Sequence, residues 1–227
     1  IGYVPGEIAF PDLRTGTEFL KSQADFLGVT DMSYAEYLIK ILQLDPGASL
    51  KRMSKGMKQK TAIVAALMGN PDIILLDEPT TGLDPLMRDA FLEIIKAEHR
   101  KGKTIFMSSH MFNELETTCD RVALISDGHI RSVVDMEEIR NPKTRQYKIE
   151  FCERADYEHF KTLGYTVVRD QPEYCQVTVS LPCEQLNALF ASLKGLKVRF
   201  ISEVTYTLEK YFLEKLGKEK ENHSHVQ

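Results

Sequence analysis

A short apolar run at residues 73–76 ends abruptly in two adjacent carboxylates, Asp77 and Glu78. Such a run, with a proline on each side, is typical of a strand buried in a parallel sheet. A second run, at residues 104–107, ends at two serines and His110. The carboxyl ends of parallel strands form the ligand-binding edge of open α/β sheets, so we expect Asp77, Glu78 and His110 to lie there. Two acids at that edge could hold a metal and activate a water, which predicts nucleotide hydrolysis.

Helical periodicity dominates the residues around these strands. Between about residues 15 and 44, apolar side chains recur at three- and four-residue steps until a turn at residues 45–47 breaks the pattern. A second helix is expected to begin after Ser54 and a third after Asp84, where a proline follows at the first helical position. A short strand at residues 1–4 precedes all of these. The pattern therefore predicts an α/β fold with a parallel sheet.

The pattern changes near residues 140–143, beyond which polar and apolar residues alternate. The expected order of strand, helix, strand, strand, helix, strand resembles a ferredoxin-like α+β unit. A last helix is expected to carry Leu208, Phe212 and Leu216. The inward positions predicted for the strands are Tyr147, Ile149 and Phe151, then Cys175, Val177 and Val179, then Leu196, Val198 and Phe200. No group of residues in this part indicates catalysis, so we assign it to dimerisation or regulation.

Composition excludes several classes of protein. The chain has 227 residues, of which 43% are hydrophobic and 27% charged, and its net charge is −4. These values are typical of a globular protein and give no general attraction to nucleic acid, so we expect no nucleic-acid partner. No apolar run approaches the roughly 20 residues that cross a bilayer, and the start has no signal-peptide pattern. The four cysteines form no close pair and are expected to be reduced.

Several motifs in a fixed order carry a family resemblance. The chain resembles the ATP-binding subunit of an ABC transporter over residues 1 to about 134. The matching segments are Met53-Ser54-Lys55-Gly56-Met57, the strand ending in Asp77-Glu78-Pro79, Gly82-Leu83-Asp84-Pro85 and Ser108-Ser109-His110. This resemblance implies a P-loop NTPase-type parallel sheet, present in part, with a helical subdomain. It also implies ATP and Mg²⁺ as cofactors.

The resemblance implies a role for each residue at the sheet edge. Asp77 matches the Walker B acid that holds Mg²⁺ through its water shell. Glu78 matches the general base that orients or deprotonates the attacking water. His110 matches the switch histidine that contacts the γ-phosphate and the catalytic carboxylate. Because Glu78 is a carboxylate and not an amide, the site is expected to be competent in hydrolysis.

The two helix starts have both a structural and a functional interpretation. Ser54 and Asp84 are favoured N-caps in any protein. By resemblance, Ser54, Lys55 and Gly56 belong to the signature motif, which contacts the γ-phosphate held by the opposite subunit, although the family more often has Gly where Lys55 stands. Asp84 is implied to contact the second subunit and couple the two nucleotide sites. The structural and functional roles can hold together.

The first loop departs from the family pattern. Where the family usually has a glutamine that touches the metal and the attacking water, this chain has Gly6, followed by Glu7. Three interpretations stay open: Glu7 takes over that contact, the loop only transmits movement, or Glu7 is a solvated turn residue. Glu7 is therefore a candidate nucleotide-site residue.

The phosphate-binding P-loop of the family does not occur in this sequence. The segment Gly102-Lys103-Thr104 imitates its end but lacks the first glycine and runs from a helix into a strand, so we reject it. By analogy with domains of usual size, we expect about 70 to 80 residues to be missing by truncation before Ile1. This fragment is then expected to bind ATP poorly and to be inactive alone.

The expected domains are a partial ABC ATPase domain at 1–140, an accessory α+β domain at 141–217 and a disordered tail at 218–227. Within the first, residues 15–52 form the helical subdomain and 53–134 carry the motifs.

The leading hypothesis is part of an ATPase subunit that drives transport, expected to be export, through a separate transmembrane permease. Its partners would be a second ATP-binding subunit, identical or different, and the permease, which provides the only membrane contact. It would lie in the cytoplasm at the inner face of the cell membrane. The alternatives are a soluble ABC ATPase switch without a membrane partner and a regulatory binding module that lacks a P-loop.

Overall fold

The computed structural model describes residues 1–213 and 215. The chain divides into two compact units, Ile1–Thr118 and Cys119–Gln227. The domain boundary expected at residue 140 stays a prediction; the elements between 119 and 140 belong to the second compact unit. Leu216 and the tail expected to be disordered, 218–227, lie outside the described residues. No helix in the described part of the chain is long and apolar enough to cross a membrane.

A three-stranded parallel sheet forms the centre of the first unit. Its strands are β1 (Gly2–Val4), β2 (Ile73–Asp77) and β3 (Thr104–Ser108), in the order β1-β2-β3. One face of the sheet packs on the core, where Val4 and Ile74 are fully buried. The register pairs Asp77 with Ser108, so β2 and β3 end side by side. The predicted α/β fold with a parallel sheet is confirmed.

The first unit also contains five helices: α1 (Gly16–Leu27), α2 (Ser33–Ile41), α3 (Lys55–Leu67), α4 (Pro85–Arg100) and α5 (Phe112–Thr118). A 3-10 turn at Leu50–Arg52 precedes α3. The periodic segment expected between 15 and 44 is two helices, because Gly28 adopts a left-handed φ of 68° and its N–H bonds back to the last turn of α1. The apolar stripes of α1, α2 and α3 pack together in one core with β1 and β2.

The second unit begins with a β-hairpin and a short helix and continues as a ferredoxin-like sheet. The elements are β4 (Arg121–Ser126), β5 (His129–Asp135), α6 (Met136–Arg140), β6 (Thr144–Phe151), α7 (Arg154–Lys161), β7 (Thr166–Gln171), β8 (Gln176–Pro182), α8 (Leu186–Ser192) and β9 (Val198–Val204). The sheet order β7-β8-β6-β9, antiparallel throughout, confirms the ferredoxin-like prediction. Residues 208–213 are helical.

One predicted inward position in this sheet is wrong. The alternation placed Phe200 in the core with Val198, but Phe200 is 37% exposed, whereas Ile201 packs against the core cluster. A register irregularity beside Glu150 and Phe151 places an extra residue on β9, so the inward face changes between Val198 and Ile201.

Candidate functional site

The polar residues that follow β2 and β3 lie together at the carboxyl edge of the parallel sheet. Ser108 joins the two strands because its hydroxyl donates to Asp77 Oδ1 at 2.6 Å. Ser108 Oγ also accepts a hydrogen bond from the Glu78 backbone N–H at 2.9 Å. One hydroxyl thus fixes the Asp77 side chain and the Glu78 main chain.

The second carboxylate contacts the histidine directly. His110 Nδ1 and Glu78 Oε2 are 2.7 Å apart. Because an ionised carboxylate can only accept, the imidazole donates this hydrogen bond. Glu78 has a left-handed φ of 45°, which is costly for a residue with a Cβ and persists only where the surroundings enforce it. The imidazole is 72% exposed and the Glu78 side chain 33%, so solvent and ligand can reach the pair.

The free side of the Asp77 carboxylate lies against the first loop. A Cβ added to Gly6 would stand 2.9 Å from Asp77 Oδ2, closer than real Cβ atoms approach. Gly6 therefore lets this loop pass the carboxylate without a steric conflict. Glu7 is exposed and has no hydrogen bond with the described residues. Its candidate role in the site stays a prediction.

The donor chemistry at this edge suits Mg²⁺. Asp77 offers a carboxylate, and Ser108 adds a hydroxyl beside it. Hard oxygen donors of this kind, one or two at a site, match a cation that takes its other ligands from water and phosphate. Across residues 1–213 and 215, no group of three His, Cys, Asp or Glu side chains is placed to hold a metal ion.

The remaining candidate residues form a second group. Ser54 caps α3, and its Oγ accepts the Met57 N–H at 3.2 Å. A Cβ on Gly56 would come within 2.6 Å of the Gly82 carbonyl oxygen, so α3 starts in direct contact with the segment before α4. The Lys55 stem packs over Gly82, which has a left-handed φ of 84°.

Asp84 caps α4 by accepting the Met87 N–H on Oδ1 at 3.0 Å. The N-cap interpretations of Ser54 and Asp84 thus hold in the structure. Their nucleotide and dimer contacts stay predictions. In the described part of the chain, neither Ser54 nor Asp84 hydrogen-bonds to the Glu78–His110 pair.

Lys103, in the segment that imitates a P-loop, has a structural position. Its ammonium group forms a very short ion pair with Glu98 and donates to Asn70 Oδ1 at 2.6 Å. Lys101 pairs with the same carboxylate at 2.6 Å, and the Tyr34 hydroxyl donates to it at 2.7 Å. Burial alone would raise the pKa of Glu98, but these donors outweigh it and hold that pKa below its usual range.

Sequence reasoning missed three members of this edge. Ser108 hydrogen-bonds to Asp77 on the neighbouring strand, Gly6 leaves room for the Asp77 carboxylate, and Glu114 of α5 is fully buried behind the edge. Only Ser108 had a usable signal, since it ends β3 where Asp77 ends β2. The contacts of Gly6 and Glu114 join residues about 70 and 34 positions apart, which no local pattern reveals.

Comparison with known proteins places these features in a family. Residues 21–115 match the family described as "AAA domain, putative AbiEii toxin, Type IV TA system". An uncharacterized ABC transporter ATP-binding protein of Nostoc is 30% identical over 229 residues, which cover 96% of this chain and 67% of that protein. The linearmycin resistance ATP-binding protein of Bacillus subtilis is 34% identical over 59% of this chain and 44% of its own length.

A solved structure of an ATP-binding subunit of an ABC transporter agrees with the fold. It superimposes with a TM-score of 0.55 at 30% identity and covers 61% of this chain and 60% of its own. The chain spans two thirds of the Nostoc protein and less than half of the Bacillus protein. The order of motifs, the geometry of the sheet edge and these similarities agree: the chain belongs to the family of ABC transporter ATP-binding proteins.

Proposed function

We propose that the chain is part of an ATP-hydrolysing subunit that drives export across a membrane through a separate transmembrane permease. One observation carries the proposal: Glu78 and His110 are hydrogen-bonded at 2.7 Å beside Asp77, at the ligand-binding edge of a parallel sheet. A carboxylate held by an imidazole is a suitable general base for an attacking water.

Each residue at the edge has a role in this proposal. Glu78 takes the proton of the attacking water on the oxygen that His110 leaves free, and His110 keeps the carboxylate in place. Asp77, fixed by Ser108, would hold Mg²⁺. Mg²⁺ bound there would neutralise charge on the phosphates of ATP.

The second group of residues serves a second ATP-binding subunit, identical or different. Ser54, Lys55 and Gly56 begin a helix whose free N–H groups and dipole favour an anion, such as the γ-phosphate held by that subunit. Asp84 lies after Gly82, which touches Gly56. The contact between Gly56 and Gly82 would therefore couple the signature segment to the Asp84 segment. Glu7 is the remaining candidate for the nucleotide site.

The names of two relatives support the proposed role in transport. The Nostoc protein is named an ABC transporter ATP-binding protein, and the Bacillus protein is named a linearmycin resistance ATP-binding protein, which fits export of a compound. We propose that this chain works at the cytoplasmic face of the cell membrane and contacts the membrane only through its permease.

The test is ATP hydrolysis by the full-length protein with Mg²⁺. Glu78→Gln keeps the shape of the side chain and removes the base, so turnover should fall by roughly 10²- to 10⁴-fold. Glu93→Gln, at an exposed glutamate of α4, is the matched control and should leave turnover unchanged. Equal turnover in the wild-type and Glu78→Gln proteins would remove Glu78 as the base.

A further inference from the structure

A fully buried carboxylate lies directly behind the candidate site. The side chain of Glu114, in α5, has no exposed surface. Its Oε2 accepts hydrogen bonds from the Thr80 hydroxyl at 3.0 Å and the Ser109 hydroxyl at 2.9 Å. Its Oε1 faces Arg88 Nε at 3.5 Å, an ion pair without a hydrogen bond. A buried carboxylate is costly unless donors and a cation surround it, and here both do.

The three partners of Glu114 belong to three segments of the candidate site. Thr80 lies two residues after Glu78, and Ser109 comes directly before His110. Arg88 is in the first turn of α4, where its N–H bonds to the Asp84 carbonyl oxygen at 2.9 Å. One carboxylate therefore ties together the loop of the base, the loop of the histidine and the helix that Asp84 caps.

The Glu78–His110 pair depends on both loops. Glu78 adopts a left-handed backbone conformation that surrounding contacts must enforce. Ser108 holds this residue from the sheet side, through the Glu78 N–H. Glu114 holds the same two loops at other points. It accepts hydrogen bonds from Thr80, which follows Glu78 in the chain, and from Ser109, which precedes His110.

We propose that Glu114 is a positioning residue for the Glu78–His110 pair. It touches neither residue directly and acts by fixing the loops that carry them, so the inference rests on the proposed ATPase function. A displacement of about 1 Å in a reacting group can lower a rate by roughly 10²-fold, which makes such a clamp important for turnover.

The chain offers a matched control. Glu98, in α4, is also a buried carboxylate, with a side chain only 1% exposed, and also accepts a hydroxyl, that of Tyr34. Its partners Tyr34, Lys101 and Lys103 belong to no segment of the candidate site. Substitutions at Glu98 and Tyr34 therefore reproduce the loss of a buried polar contact without loosening the two loops.

The experiment measures kcat, KM for ATP and Tm of the full-length protein with Mg²⁺. Glu114→Gln should lower kcat by roughly 10- to 100-fold with little change in KM, and Thr80→Val and Ser109→Ala by roughly 3- to 10-fold. Glu98→Gln and Tyr34→Phe should lower Tm while kcat of the folded protein stays at the wild-type value. A structural role alone would lower Tm in both sets and change kcat in neither.

The inference is overturned if Glu114→Gln and Thr80→Val keep wild-type kcat, or if the Glu98 and Tyr34 variants lose as much kcat at equal loss of Tm. Should Glu114→Gln fail to fold, the two hydroxyl deletions decide by the same criterion. A wild-type protein without ATPase activity would instead overturn the proposed function. Turnover that depends on Glu78 but not on Glu114 would overturn this inference alone.

Discussion

The two ends of β3 carry charged groups in opposite situations. Before the strand, Lys103 and Glu98 have side chains 8% and 1% exposed and neutralise each other. After it, the His110 side chain is 72% exposed beside Glu78, and Asp77 is exposed as well. Charged side chains that are buried and paired need each other for the fold to stay stable, whereas those that stay accessible can bind a ligand. We call the end with the buried Lys103–Glu98 pair the structural edge of the sheet, and the end with Asp77, Glu78 and His110 its chemical edge.

Removal of the cation at the structural edge should give the largest change in stability. Lys103→Met leaves the Glu98 carboxylate buried with less compensation, so the free energy of unfolding should fall by about 3 kcal/mol or more. Urea unfolding of the purified protein measures this change. Lys96→Met, which breaks the exposed pair with Glu93, is the control and should cost less than about 1 kcal/mol. Equal losses in both variants would contradict a special role for the structural edge.

A substitution at the chemical edge should change activity more than stability. Gly6→Ala places a methyl group 2.9 Å from Asp77 Oδ2, so the carboxylate must shift. We expect ATP turnover of the full-length protein to fall by about 10-fold and the Mg²⁺ concentration for half-maximal activity to rise. Gly69→Ala would place its methyl group 3.3 Å from Leu27 Cδ1 and 3.8 Å from Val29 Cγ2, away from the site, and should leave both values unchanged. Wild-type kinetics in Gly6→Ala would show that the loop and Asp77 move apart freely.

A milder change at the structural edge should have a smaller effect. Tyr34→Phe removes one hydrogen bond to Glu98, and the free energy of unfolding should fall by about 1 kcal/mol. Because burial and the bond to Glu98 raise the pKa of the Tyr34 phenol, the hydroxyl stays protonated and keeps donating at neutral pH. Denaturant titration of the two proteins tests this, and an unchanged midpoint would contradict it.

The contribution of Glu98 to stability should depend on pH in acid. A glutamate ordinarily has a pKa of about 4.3. Burial would raise the pKa of Glu98, but Lys101, Lys103 and Tyr34 favour the ionised form and hold it below that ordinary value. The stabilisation from Glu98 is therefore fully present above that ordinary pKa and is lost as pH falls through the lowered pKa of the folded state. The difference in unfolding free energy between wild-type and Glu98→Gln proteins should shrink below about pH 4. A constant difference down to pH 2 would contradict the assignment.

The sequence was sufficient where local pattern decides the structure. The apolar runs before Asp77 and before Ser108 predicted two parallel strands, and strand ends in one sheet share an edge, so the convergence on His110 followed. The N-caps Ser54 and Asp84 were equally local signals.

The sequence was insufficient where distant contacts or exposure decide. The edge strand β7 is exposed along most of its length, so it shows no inward alternation. The bulge beside Phe151 reverses the face of Phe200 without any mark in the local pattern. Glu114 reads as an ordinary helix residue until the fold brings Thr80 and Arg88 to it.

The most direct test of the central claim measures ATP binding and single-turnover hydrolysis on the same sample of full-length Glu78→Gln protein. We predict that the variant binds ATP as tightly as the wild-type protein but hydrolyses it at least about 100 times more slowly. Hydrolysis at the wild-type rate, with binding intact, would contradict the assignment of Glu78 and His110 as the reacting centre.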